Sequence, residues 1–297
     1  MTIQYGITHT TTYRYAKPVR FGEHRVMFRP RDSHDLRVLA TDLQVSPEAT
    51  VRMIQDPYSN SIALVQPQGE AEELKFVCSF IIEHASSHNL ELPLSPSAEF
   101  FPFSYSVDER FDLEHYLRPH HDDPDGKLSA WARQFIRTDG PTGTRDMLVR
   151  MNQHIRDNFT YADRDEEGTQ DPLKTLELNT GSCRDFALLM MEAVRRLGVA
   201  ARFVSGYLYD PALDPASGEE VSETTGAGAT HAWLQAYLPG AGWLPFDPTN
   251  NILGGSQLVR VGVVRDPKQA APISGSWFGD ADAYLGMNVE VRVTRTG

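Results

Sequence analysis

The chain has 297 residues, 40% of them hydrophobic and 23% charged, with a net charge of −12. That balance argues against a nucleic-acid or anionic-membrane partner, because phosphates demand a basic surface. No stretch approaches the roughly 20 apolar residues of a membrane span, and the polar, alternating start MTIQYGITHTTTYRY does not have the form of a secretory signal.

Two cysteines far apart, Cys78 and Cys183, make no disulfide framework. A reduced, cytoplasmic setting is therefore the expectation. The sequence carries no oligomer signature.

Residues 1–90 read as strands. ITHTTTYRY continues an alternation that begins at Ile3, Tyr5 and Ile7 and runs on through Tyr13 and Tyr15. LRVLATDLQVSP and SIALVQP follow, and LKFVCSFIIEH is an apolar run flanked by charge, as in a buried strand. DPYSN at 56–60 carries hairpin-turn chemistry. Several short antiparallel strands predict a β-sandwich-like domain. Cys78 falls inside a strand pattern and reads as a core residue.

From residue 86 the character changes. ELPLSPSAEFFPFSY is rich in proline and aromatics, and RPHHDDPDGK is a polar turn cluster. Residues 91–127 are expected to be a connector over the surface. His120, His121, Asp122 and Asp123 are metal-ligand types, but adjacent ligands on one loop rarely close a site without a second element. A solvated loop is the reading.

Over 128–297 the period changes from 2 to 3.6. LSAWARQFIR and TRDMLVRMNQHIRDNF are amphipathic helices, the second with Met147, Leu148, Met151 and Ile155 in one stripe. TYADRDEEGTQDP is a loop. Then NTGSCRDFALLMM places Cys183 between a small, polar turn and a long apolar stretch.

Ser182 and Asp185 are spaced as in a capping box. Phe186, Leu189, Met190, Ala193 and Leu197 recur at helical spacing, and Gly198 is the stop, so a buried helix is predicted over 183–197. Cys183 then lies in its first turn, where free N–H groups and the helix dipole favour a thiolate. Arg184 adds positive charge next door.

A nucleophilic cysteine needs a base, and the base needs an orienting group. ATHAWLQAYLPGAGWLPFDPTN, 229–250, reads as a hairpin around PGAG. His231, Trp233, Gln235 and Tyr237 share one face; Trp243, Pro245 and Asp247 share a face on the returning strand. A four-residue turn, Pro239 to Gly242, would put Asp247 opposite Leu234. A shorter turn centred on Pro239 would put it level with His231, and only that turn or a bulge would let the two hydrogen-bond. Cys183, His231 and Asp247 together would form a nucleophile, base and orienter.

The motifs C-x-D-x-A, G-V-x-A-R-x-V-S-G-Y, H-A-W and D-P-T, spread over about 140–250, resemble the transglutaminase-like superfamily in its bacterial, cysteine-protease-like branch. HTTTYRY and DPYSN resemble the β-rich N-terminal region that accompanies it. The resemblance implies an α+β fold: an antiparallel β-sandwich-like domain, then a papain-like core of helices on an antiparallel sheet. Cys183 would be nucleophile, His231 base and Asp247 orienter, and the last strands, such as NVEVRVT, would return to a sheet. Family members often read R-D-Y after the triad; here the residues are Arg265, Asp266 and Pro267.

The expected chemistry is cysteine-dependent amide hydrolysis of a peptide or protein through a thioester. The oxyanion would accept the Cys183 backbone N–H and one donor from Gln170 or Tyr161. Tyr207 and Trp233 are candidates for the acyl pocket. The chemistry calls for no metal and no organic cofactor. The acidic stretch 210–223 lacks calcium-loop spacing and reads as a mobile loop near the cleft. Three rivals remain: a transglutaminase, in which an amine resolves the thioester; transfer to a small amine, as in arylamine N-acetyltransferases; and a non-catalytic binding module. The presence of all three triad residues argues against the last.

Overall fold

A computed structural model describes residues 2–85, 91–164, 166–214, 217 and 224–296. Strand β1 (Thr2–Phe21) is the spine of the N-terminal half. Its alternation turns Tyr5, Ile7, His9 and Thr11 inward and leaves Thr8 exposed. β2 (His24–Val26), β3 (Leu36–Ser46), β4 (Ala49–Gln55), β5 (Ser61–Pro67) and β6 (Glu70–Ala85) follow. Antiparallel pairing sorts them into two sheets: β1, β6 and β3 side by side in one, β2, β5 and β4 in the other. Cys78 is buried on β6.

Between 91 and 143 the chain holds β7 (Phe100–Phe101), α1 (Val107–Asp112), α2 (Glu114–Leu117), α3 (Lys127–Arg133) and β8 (Thr142–Gly143). The turn at 120–123 is pinned more firmly than a solvated loop. The backbone N–H groups of His120 and His121 donate to the Glu192 carboxylate. Asp123 accepts from the backbone N–H groups of Leu128 and Ser129 at the start of α3. These residues fix the strap to the helix behind it.

The remaining elements are α4 (Thr144–Asn158), β9 (Thr160–Tyr161), α5 (Pro172–Leu178), β10 (Thr180–Gly181), α6 (Cys183–Arg196), β11 (Ala201–Leu208), β12 (His231–Leu238), β13 (Gly242–Phe246) and β14 (Leu258–Val264). The last four strands form an antiparallel sheet in the order β13-β12-β11-β14. The fold is α+β, as expected. Helix α6 packs against β11 and β12 on one side and meets α3, α4 and α5 on the other. Twelve of its fourteen residues are buried, which is why its apolar run is almost unbroken.

β15 (Ile273–Ser274), β16 (Trp277–Phe278) and β17 (Tyr284–Arg295) close the chain. The last strands do return to a sheet, but in the N-terminal layers: β15 pairs with β2, and β16 and β17 pair with β1. Residues 273–295 therefore leave the 128–297 core they follow in sequence. No helix among the described residues is long and apolar enough to cross a membrane.

Candidate active site

Cys183 is the first residue of α6, with Ser182 as N-cap. The turn before it is locked by one fully buried carboxylate, Asp185. Asp185 accepts from the Ser182 N–H at 2.9 Å, the Ser182 hydroxyl at 2.8 Å and the Gln170 N–H at 2.6 Å. Arg164 reaches both of its oxygens, at 2.8 and 3.0 Å. A Cβ on Gly181 would lie 2.9 Å from the Asp185 Cβ, so only glycine fits there. Arg184 does not face the sulfur as a free charge; it donates to the carbonyls of Arg164 and Glu166.

His231 opens β12 and is 1% exposed. The hairpin turn is neither of the two considered from sequence. Leu238 pairs with Gly242 and Leu234 with Phe246, so the turn holds three residues. Gly240 within the turn and Gly242 at the start of the returning strand both adopt left-handed φ. Extrapolating this register sets Asp247 beyond Phe246 at the level of Trp233. It therefore shares a face with His231, two residues off level. Diagonal neighbours on one face lie within reach of long side chains.

The His231 Nε2–H accordingly donates to Asp247 Oδ2 at 2.8 Å, with both side chains fully buried. The other ring nitrogen, Nδ1, is buried and turned away from Asp247, and Cys183 neighbours the ring. Burial opposes the imidazolium, but Asp247 and Cys183 outweigh it and raise the histidine to about 10. That shift favours the imidazolium form of the ring.

The carboxylate is itself held. Asp247 Oδ1 accepts the Thr249 N–H at 3.0 Å, and Oδ2 accepts Asn250 Nδ2 at 3.1 Å. A bridge between Asp247 and Ile252 takes the chain out of the strand here. Asn152 on α4 donates to the side chain of Asn251 at 2.9 Å and anchors the far end of this turn. Across the imidazole, Gly226 closes over Nδ1: a Cβ there would lie 3.2 Å from that nitrogen and 3.5 Å from the Tyr161 hydroxyl. Part of the stretch 210–223, expected to gate the cleft, lies outside the described residues.

The other candidates separate. Tyr161 neighbours Cys183 and donates to Asp163 at 2.9 Å. Gln170 is committed elsewhere: its Nε2 donates to the Thr175 hydroxyl and to the Thr180 carbonyl, both at 3.0 Å. It lines an open cavity of about 390 Å³ with Asp163, Arg164, Glu166, Thr180 and Gly181. Tyr207 is not in the cleft. It is 1% exposed and donates to the Phe28 carbonyl at 2.9 Å, deep against the N-terminal half. Trp233 is also fully buried; its ring stacks 6.1 Å from that of His231 and forms a floor rather than a pocket wall. Sequence reasoning missed Asn250, Gly226 and the Arg164–Asp185 pair.

The comparisons with known proteins agree with this architecture. The model of the transglutaminase-like superfamily core matches residues 129–248, and that of the bacterial transglutaminase-like N-terminal region matches residues 5–83. An uncharacterized protein of Mycobacterium leprae is 27% identical over 290 residues, 96% of this chain and 97% of that one. An uncharacterized protein of Mycobacterium tuberculosis is 26% identical over 304 residues, 98% and 93% of the two chains. Among solved structures, one described as a "Putative Cysteine Protease" from Cytophaga hutchinsonii superposes with a TM-score of 0.70 at 20% identity, covering 99% of this chain and 91% of that one.

Proposed function

Because the chain carries a transglutaminase-like core behind a bacterial transglutaminase-like N-terminal region, we propose that it is a cysteine-dependent amide-bond hydrolase acting on a peptide or protein. One observation carries the reading: a first-turn cysteine beside a buried histidine that a buried aspartate orients at 2.8 Å. Cys183 is the nucleophile, His231 the acid and base, and Asp247 the orienter.

In this reading the Cys183 proton resides on His231 Nδ1, the nitrogen that Asp247 leaves free. The sulfur attacks the amide carbonyl carbon, and the carbonyl π pair moves onto oxygen. The Cys183 backbone N–H receives that charge; Tyr161, beside the thiol, would serve as a second donor only by turning its single O–H away from Asp163. When the C–N bond breaks, Nδ1 gives its proton to the departing nitrogen, leaving a thioester. Water then attacks and returns a proton to Nδ1. The C–S bond breaks, releasing a carboxylic acid and the sulfur with its pair.

A defined peptide pool incubated with the protein, with and without excess primary amine, tests this by mass spectrometry against Cys183→Ala. Shorter peptides insensitive to amine support the hydrolase. Amine adducts on glutamine would make the protein a transglutaminase instead. No change relative to the blank would favour the binding-module reading.

A further inference from the structure

One side chain joins the support behind the imidazole to the cover in front of it. Asn250 Nδ2 donates to Asp247 Oδ2 at 3.1 Å, the same oxygen that takes the His231 Nε2–H. The same Nδ2 donates to the Thr225 carbonyl at 3.1 Å, and Oδ1 accepts the Thr225 N–H at 2.7 Å. The amide therefore pairs with both backbone groups of Thr225, as a neighbouring peptide would. The next residue, Gly226, is the one packed over His231 Nδ1.

We propose, resting on the triad assignment above, that Asn250 is a positioning residue: it keys the glycine loop at 225–228 to the Asp247 carboxylate, so that the cover and the imidazole are set together. The required chemistry selects an amide. Only a group that both donates and accepts can satisfy Thr225 N–H and C=O at once. A spare donor hydrogen then steadies Asp247 without cancelling the charge that the imidazolium needs. The loop has a second tether, the Val291 N–H to the Gly228 carbonyl at 2.9 Å, so loss of Asn250 loosens the key without releasing the loop.

The test is the alkylation rate of Cys183 by iodoacetamide against pH, read by peptide mass on the full chain. Asn250→Ala and Asn250→Asp are compared with wild type, with His231→Ala as reference and buried Cys78 as the internal control. Asn250→Ala should slow Cys183 about tenfold near neutral pH, the scale of one lost hydrogen bond to a charged group. Asn250→Asp is close to isosteric and keeps the Thr225 N–H bond. It sets two carboxylates side by side, so its rate relative to wild type should fall furthest at about pH 8 and recover towards about pH 5 as the pair shares a proton. A purely structural asparagine would lower the thermal midpoint and leave that profile unmoved. Wild-type profiles in both variants overturn the proposal. If wild type reacts no faster than His231→Ala, the triad assignment itself has failed.

Discussion

Asp247, the residue after the last β13 pair, Leu234 with Phe246, takes the Nε2–H of His231 at 2.8 Å. Continued by one residue, the register would put both side chains on one face of the sheet. The bond also fixes which nitrogen is left for the thiol. Asp247→Asn should therefore allow the wrong tautomer and cut turnover by roughly 10³–10⁴-fold, while the fold is retained. The imidazole, now raised to about 10 by Asp247 and Cys183 against the cost of burial, should titrate well below that. A pH series of Cys183 alkylation would show it; an unchanged profile would remove Asp247 from the role.

Gly226 and Gly228 separate backbone strain from contact with the ring. Both have left-handed φ, +83° and +85°. A Cβ at 226 meets His231 Nδ1 at 3.2 Å, whereas one at 228 meets only Leu213 at 3.7 Å. Each alanine should cost about 1 kcal/mol of stability through φ. Only Gly226→Ala should also slow Cys183, by at least about tenfold. Equal alkylation rates in the two variants would show that the cover does not bear on the imidazole.

Glu192 is a fully buried anion paired with Arg195 at 3.1 Å and Arg196 at 2.8 Å. Burial opposes its ionised form, but the arginines and the N–H groups of His120 and His121 hold its carboxyl below the usual range. Glu192→Ala strips the buried Arg195 of its carboxylate, while Arg196 keeps Asp123 at 3.6 Å, and should cost about 3–5 kcal/mol. Urea unfolding measures it, and Glu192→Gln should lose less. A loss under about 1 kcal/mol for the alanine would mean that solvent reaches the arginines.

His9 is buried between Phe28, Tyr207 and Thr11. Burial lowers it from 6.5 to about 3, and burial lowers His24 and His84 as well. Between those values the unfolded chain binds a proton that the native state refuses. The stability set by His9 is thus full above about pH 6.5 and falls as the pH drops towards 3. Thermal midpoints from about pH 7 to pH 4 should decline, and His9→Gln should flatten part of that slope. A parallel slope in the variant would place the acid sensitivity elsewhere.

The catalytic candidates were legible because each sits at a boundary that sequence marks: a cap, a strand start, an aspartate before proline. The turn register was not. PGAG admits more than one turn length, and the choice depends on Gly240 and Gly242 both adopting positive φ. Tyr207 and Trp233 were misplaced for a different reason. Strand alternation tells which residues share a face, but β11 and β12 are buried along both faces, so the contrast that would mark an open side is absent. Gln170 read as a free donor because its partners, Thr175 and Thr180, lie across a helix and a turn. Asn250 carried no signal of its own, since two of its three hydrogen bonds are to the Thr225 backbone.

The strand pairing of β17 with β1 sets Arg295 beside Tyr5, nearly the whole chain apart. Closing so large a loop is entropically among the slowest contacts a chain can make. Val291 on that same strand holds the Gly228 carbonyl of the cover. During synthesis Cys183, His231 and Asp247 all emerge before the strand that secures the loop over them. Reactivity at the thiol should therefore mature as the final event of folding, after the last strand docks, and a nascent chain would carry the Cys183 thiol without its finished cover.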